Sequence, residues 1–290
     1  GKPKCFAQWS NKAVAEVNPI NIEIKPRRGW GSLGLAELWQ FRELLYFLIW
    51  REVKGRYRQM ALGPLWIILK PFVTMVVFSI IFGRLAKLPS DGIPYPLFAY
   101  SGLLPWQLFA VATGKSAASL VTNMGVISKV YFPRLVVPLA TACSGLVDFC
   151  MSFLILVGMM LFYGVYPGWN LVFLPAFLVL ATAAALAVGL CLATLAVKFR
   201  DVSFGVEHAL QVVMYLTPVV YASSLIPETW RTIYRLNPMT VVIEGFRWSL
   251  LGQGQPPDII SAASAGLVLV LLFIGAHLFR RTERNIVDLM

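Results

Sequence analysis

Six apolar stretches, at residues 62–83, 96–123, 135–163, 171–197, 206–226 and 259–279, decide what this chain can fold into. About 20 predominantly apolar residues in a helix cross the hydrocarbon core of a bilayer, and every stretch has that length. A backbone inside lipid must satisfy its own N–H and C=O groups, which segments of this kind do as α-helices. The expected fold class is therefore an all-α integral membrane protein with six transmembrane helices. Composition agrees, since 58% of the 290 residues are hydrophobic and only 13% are charged, about half the charged share of a soluble domain.

The net charge of +11 would also suit a nucleic-acid binder, but the basic residues follow the edges of the apolar stretches. With six crossings, one side receives the eleven Lys and Arg before Ala61, then Lys129, Arg134, Lys198, Arg200, Arg280, Arg281 and Arg284. The other side receives Arg84, Lys87, Arg231, Arg235 and Arg247, while Lys70 and Lys115 fall within stretches. Lysine and arginine near a span stay in the cytoplasm, so both termini are expected inside. The partner of this charge is the membrane surface, and no nucleic acid is expected.

Residues 1–34 read as a cytoplasmic arm without the apolar core of a cleavable signal. Over 35–60, Glu37, Gln40, Glu43, Arg51, Lys54 and Arg58 recur at helical spacing, and Leu38, Phe41, Leu45, Leu48 and Ile49 line another face. Too short in its apolar run to span, this amphipathic helix is expected in the interface, with Trp39, Tyr46 and Trp50 at that depth. Residues 61–280 form the six-span domain and 281–290 a cytoplasmic tail. Between the fifth and sixth spans, Glu244 and Arg247 interrupt the apolar piece 239–251. Short external helices are expected there, beginning after Pro227 and near Asn237-Pro238. In the fourth span, Ala181, Ala185, Gly189 and Ala193 make a small-residue face for close helix approach.

Catalysis is not expected. Gly114-Lys115-Ser116 imitates the end of a phosphate-binding loop, but Phe109 stands where its first glycine is required. Cys5, Cys143, Cys150 and Cys191 form no C-x-x-C pair and read as small packing residues, with no metal site. The sequence holds no nucleotide site of its own.

The stretch from Trp50 through Arg51, Lys54, Arg56 and Arg58 to Pro71 resembles the lead into the first span of ABC exporter permeases for polysaccharides. Phe199-Arg200-Asp201-Val202, the run Leu216-Thr217-Pro218-Val219-Val220-Tyr221, Leu236-Asn237-Pro238-Met239-Thr240 and Phe246-Arg247 resemble later landmarks of the same family, in the same order. The resemblance covers about residues 35–280. It implies a multi-pass permease of the bacterial inner membrane, acting as a homodimer with two copies of a separate ATP-binding subunit. ATP and Mg would be held there and no cofactor by this chain. The substrate it implies is a lipid-linked polysaccharide, O-antigen being favoured over capsule or teichoic acid.

Within that frame the sequence offers candidate sites. Sugar rings lie against aromatic faces, which selects Tyr95, Tyr100, Trp106, Phe109, Tyr215, Tyr221, Trp230 and Tyr234 as substrate-path candidates. A lipid-linked pyrophosphate needs converging cations, for which Arg51, Arg56, Arg58 and Lys70 are candidates. Glu37, Lys129, Tyr131, Arg134, Arg200 and Asp201 are candidates for contact with the ATP-binding subunit. Asp148 and Lys115 are ionisable groups inside spans, with Lys70 or Lys115 the expected partner of Asp148. Other readings are a permease for drugs or small lipids, a proton-driven transporter carried by Asp148, and a non-transporting scaffold.

Overall fold

The computed structural model describes residues 35–57, 65–127, 132–199, 201–254 and 256–285, all within the unit Leu33–Met290. Every regular element among them is a helix. The order is α1 (Leu35–Gln40), α2 (Arg42–Tyr57), α3 (Leu65–Phe78), α4 (Tyr95–Thr122), α5 (Met124–Ile127) and α6 (Val136–Tyr163). Then come α7 (Leu174–Lys198), α8 (Asp201–Leu216), α9 (Glu228–Leu236), α10 (Pro238–Leu251) and α11 (Ile259–Asn285). A wider π-helical stretch, Ser79–Leu85, continues α3, and a 3-10 turn, Trp169–Phe173, leads into α7.

The organising element is α4, buried along most of its length and packed against α6, α7, α10 and α3. The small-residue face of α7 is what admits it. Ala181, Ala185 and Ala193 are fully buried, and a Cβ on Gly189 would lie 2.5 Å from the Ser116 Cβ. The four-residue ladder thus serves a close approach within the chain. On the opposite side of α7, a Cβ on Gly275 of α11 would meet the Ala187 carbonyl at 2.9 Å.

Four helices among the described residues are long and apolar enough to cross a membrane: Leu65–Leu85, Val136–Tyr163, Trp169–Lys198 and Ile259–Thr282. Where the second span is expected, a helix of matching length, α4, does form, but it is not among those four, being more polar with Ser101, Thr113, Lys115, Ser116 and Ser119. A helix wrapped by other helices faces protein, so its polar groups find partners there. Ser116 Oγ donates to the Pro138 carbonyl at 3.1 Å and Ser119 Oγ to the Ser116 carbonyl at 2.7 Å.

The fifth expected span differs more. In place of a helix over 206–226, α8 runs Asp201–Leu216, 16 residues, or about 24 Å at 1.5 Å per residue. The chain then leaves helical geometry at Thr217-Pro218. Proline lacks the N–H that would continue the helix. The two helices expected near Pro227 and Asn237 do form as α9 and α10, with Asn237 Oδ1 accepting from the Met239 N–H at 3.0 Å and Pro238 in the first turn. Yet α10 is buried nearly throughout against α7, α4 and α11, and a Cβ on Gly245 would strike the Phe177 ring at 2.2 Å. It is a core helix of the bundle.

The amphipathic segment is present as α1 and α2, turning at Phe41. Leu48 is buried, and Leu38, Phe41, Leu44, Leu45 and Ile49 pack around it onto a cluster with Leu120, Val136 and Phe279. The apolar stripe read from the sequence therefore meets α4, α6 and α11, while Trp39, Tyr46 and Trp50 stay exposed.

Candidate functional site

Two polar constructions sit at opposite ends of α4. About 25 Å of helix separates Phe98 from Lys115 at 1.5 Å per residue. At the Lys115 end, α2 sends two arginines into the bundle. Arg51 Nη2 donates to Asn123 Oδ1, and Arg56 Nη1 pairs with Asp148 Oδ2. The other Arg56 nitrogen donates to Ser144 Oγ at 3.1 Å. Arg56 and Asp148 side chains each retain 19% of their exposure, so water screens the pair only in part. Lys115 lies within electrostatic reach of Arg56, Asp148 and Glu52. Its Nζ is buried with no hydrogen-bond partner among the described residues.

Among the described residues Asp148 pairs with Arg56, 92 residues away, while the expected partners stand apart: Lys70 is exposed on α3, and Lys115 is within electrostatic reach of Asp148 but forms no hydrogen bond with a described residue. Arg58 lies outside the described residues. Lys129, Tyr131 and Arg200 lie outside them as well, as does the Glu37 side chain. Arg134 stands just before α6, and Asp201 is exposed in the first turn of α8.

At the Tyr95 end, the broken end of α8 leaves backbone carbonyls that no helix satisfies. Arg247 of α10, 4% exposed, supplies the donors: Nη1 to the Pro218 carbonyl at 2.9 Å and Nη2 to the Val219 carbonyl at 2.6 Å. Tyr95 Oη donates to the next carbonyl, Val220, at 2.6 Å. The guanidinium lies 3.7 Å from the Phe98 ring centroid, so the π face offsets part of the cost of burying the cation. Gly102 makes room, because a Cβ there would sit 2.7 Å from both Arg247 Nη2 and the Val219 oxygen. Asn237 Nδ2 donates to Thr217 Oγ1 at 3.3 Å and closes the turn.

That pinned turn positions an open groove of about 480 Å³ lined by Tyr221, Leu225, Ile226, Pro227, Trp230 and Tyr234. Three substrate-path candidates thus converge, Tyr221 from the turn and Trp230 and Tyr234 one helical turn apart on α9, with Tyr234 beside the Tyr221 side chain. Ligand sites commonly span 300–1,000 Å³. Tyr100, Trp106 and Phe109 lie elsewhere, closed in the core: Tyr100 Oη donates to the Ser152 carbonyl at 3.1 Å, and Trp106 packs on Phe109 at 5.4 Å. Tyr215 is exposed on α8. A second groove of about 790 Å³, mostly apolar, runs between α3 and α6 past Met75, Ile155 and Phe162 to Tyr95 and Arg84.

Sequence reasoning did not assign the clamp role of Arg247 or the bracket at the foot of α9. There Arg235 Nη2 meets Asp258 Oδ2 at 2.8 Å and Arg235 Nε lies 3.9 Å from Glu244 Oε2. Asp258 also caps α11, accepting from the Ser261 N–H and Oγ at 3.0 Å each. Burial works against ionisation of Asp258, but the bonds from Ser261 and Arg235 outweigh it and hold the carboxyl below its ordinary range. The pattern Asp258-Ile-Ile-Ser261 ahead of an apolar run is a readable capping signal.

Comparison with known proteins places this architecture. The ABC-2 type transporter family matches residues 43–251. The O-antigen export system permease protein RfbA of Myxococcus xanthus is 32% identical over 254 residues, 86% of this chain and 96% of that protein. An RfbA of Klebsiella pneumoniae is 29% identical over 253 residues, 86% of this chain and 95% of that protein. The polysialic acid transport protein KpsM of Escherichia coli is 23% identical over 244 residues, 81% of this chain and 92% of that protein. The chain therefore belongs to the ABC-2 type transporter family, as a multi-pass membrane permease that works with a separate ATP-binding subunit.

Proposed function

We propose that this permease exports a lipid-linked polysaccharide of the O-antigen class across the bacterial inner membrane. The observation that carries this is the near full-length similarity to permeases named for O-antigen export. In this reading both termini lie in the cytoplasm and the chain makes six passages, with α4 as an inner passage and α8 with its turn as a short one. Two copies form the pathway and two ATP-binding subunits drive it, docking on the α1–α2 segment and the cytoplasmic ends of α6 and α8. Arg51, Arg56, Arg58 and Lys70 face the pyrophosphate of the lipid carrier. The Tyr221, Trp230 and Tyr234 groove supplies flat faces and phenol hydroxyls, which suits sugar rings with apolar faces and polar rims.

Reconstitution tests this reading. Vesicles holding the permease and its ATP-binding subunit are expected to move lipid-linked glycan in an ATP-dependent way, and Trp230→Ala with Tyr234→Ala is expected to slow transport several-fold without loss of assembly. Transport driven by a proton gradient alone, or ATP-driven efflux of drugs with glycan left behind, would refute it.

A further inference from the structure

The larger groove, of about 790 Å³, is built from two stripes of side chains. Phe72, Met75, Val76, Ser79, Ile80 and Arg84 recur at three- and four-residue spacing along α3 and its π-helical continuation. Ile155, Gly158, Met159 and Phe162 do the same along α6, which ends at Tyr163. Such spacing places each set on one helix face. The two helices meet before the groove begins, where the Ser152 hydroxyl donates to the Ile67 carbonyl at 3.5 Å. From Phe72 to Arg84 the groove is about 18 Å long at 1.5 Å per residue. A single leaflet contributes a similar depth, half of a hydrocarbon core about 30 Å thick.

Two features set this groove apart from ordinary lipid-facing surface. Gly158 leaves its α6 wall open, since a Cβ there would meet nothing within 4 Å. Among the described residues that line it, Arg84 alone is charged. Arg84 is exposed on the π-helical stretch, a rare geometry that frequently marks functional sites. Apolar walls one leaflet deep beneath a single cation complement a molecule with an apolar chain and an anionic head.

We propose that this groove binds an anionic phospholipid of the bilayer, with one acyl chain along the two stripes and the phosphate on the Arg84 guanidinium. A guanidinium offers paired N–H groups that match two phosphate oxygens. Lipid tails are as apolar as the groove, so the chain gains packing and the headgroup contact supplies the selectivity. Phosphatidylcholine offsets its phosphate with its own choline, whereas phosphatidylglycerol brings a net negative charge for Arg84 to meet. A lipid held there joins α3 to α6 beyond their contact at Ile67, so the bilayer itself completes the packing of α3. This holds whatever the permease carries.

The test uses the permease with its ATP-binding subunit in phosphatidylcholine nanodiscs. These are doped with phosphatidylglycerol or phosphatidylcholine carrying a diazirine in the acyl chain, photolysed, and mapped by peptide mass spectrometry. Val76, Ile80 and Phe162 in the groove are expected to be labelled more than Val73 and Val77, which are exposed on α3 outside it. Groove labelling should be about fivefold stronger with phosphatidylglycerol, as one cation near a headgroup provides. Arg84→Gln should abolish that preference and Arg84→Lys should keep it. Gly158→Phe should lower groove labelling about fivefold by filling the chain's place, while Gly158→Ala leaves it unchanged. Copurification of the ATP-binding subunit and unchanged labelling of Val73 and Val77 show that each variant is assembled. Equal labelling inside and outside the groove, a preference that survives Arg84→Gln, or groove labelling that survives Gly158→Phe would overturn the proposal. So would absence of groove labelling in the wild type, the result expected if a second copy of the chain covers these stripes.

Discussion

Arg56 and Arg247 are both cations held largely out of water, and they are neutralised in opposite ways. Arg56 meets a carboxylate and a hydroxyl at a site that keeps a fifth of its exposure. Arg247 meets two backbone carbonyls and an aromatic face at a fully enclosed site. The first arrangement leaves both partners within reach of solvent, so water screens it and can stand in for either one. The second holds the backbone itself, and among the described residues Arg247 is the donor that reaches the Pro218 and Val219 carbonyls. One end of α4 thus meets its cation with side chains and partial water, the other with backbone and full enclosure.

The largest expected effect follows from breaking the second arrangement. Arg247→Ala should destabilise the permease by about 3 kcal/mol, because two buried carbonyls lose charged donors, measured as thermal unfolding of the purified protein. Arg56→Ala should cost roughly 1–2 kcal/mol, with Asp148 taking water in its place. Equal losses in the two variants would erase the distinction.

Gly102→Ala sharpens it. The added methyl must displace the Arg247 guanidinium or the Val219 carbonyl, for a loss of about 2 kcal/mol. Combined with Arg247→Ala the losses should fall short of additive, because both variants disturb one clamp. Additive losses in unfolding measurements would place Gly102 outside it. Arg56→Lys probes the partly solvated end: the charge persists but the two-pronged geometry is lost, costing about 1 kcal/mol in the same assay.

The smallest effect concerns acid. The folded-state pKa of Asp258 is depressed, so its stabilisation is present above the ordinary carboxylate range and is lost as pH falls through the folded value. Hydrogen exchange in α9 should accelerate in that acid window and not between pH 6 and 8. Asp258→Asn should abolish the acid response while keeping a cap on α11.

What the sequence revealed divides along the same line. Apolar length and helical spacing are local properties, so α3, α6, α7, α11 and the two faces of α2 were legible, as was the small-residue ladder on α7. The break after Leu216 was legible only as a Thr-Pro pair, because its stability depends on Arg247, about 28 residues onward, and on Tyr95, 125 residues back. The Arg56–Asp148 pair was hidden for the same reason, since charge patterns identify which groups need partners and not which partner the fold delivers. Convergence of Tyr221, Trp230 and Tyr234 was half visible: the helical spacing of the last two is local, while the turn that brings Tyr221 to them is pinned from afar.

The bracket of Arg235, Asp258 and Ser261 makes α9 a passenger on α11. That helix has 27 residues, a rod of about 40 Å, and α9 rides on its first turn. One wall of the aromatic groove is thus fastened through Arg235 to the start of that rod, while the Tyr221 wall is fastened through Val219 and Val220 to Arg247 and Tyr95. The two walls meet again at Asn237, which ends α9, begins α10 and holds Thr217, so a change in groove width has to be absorbed at that one residue.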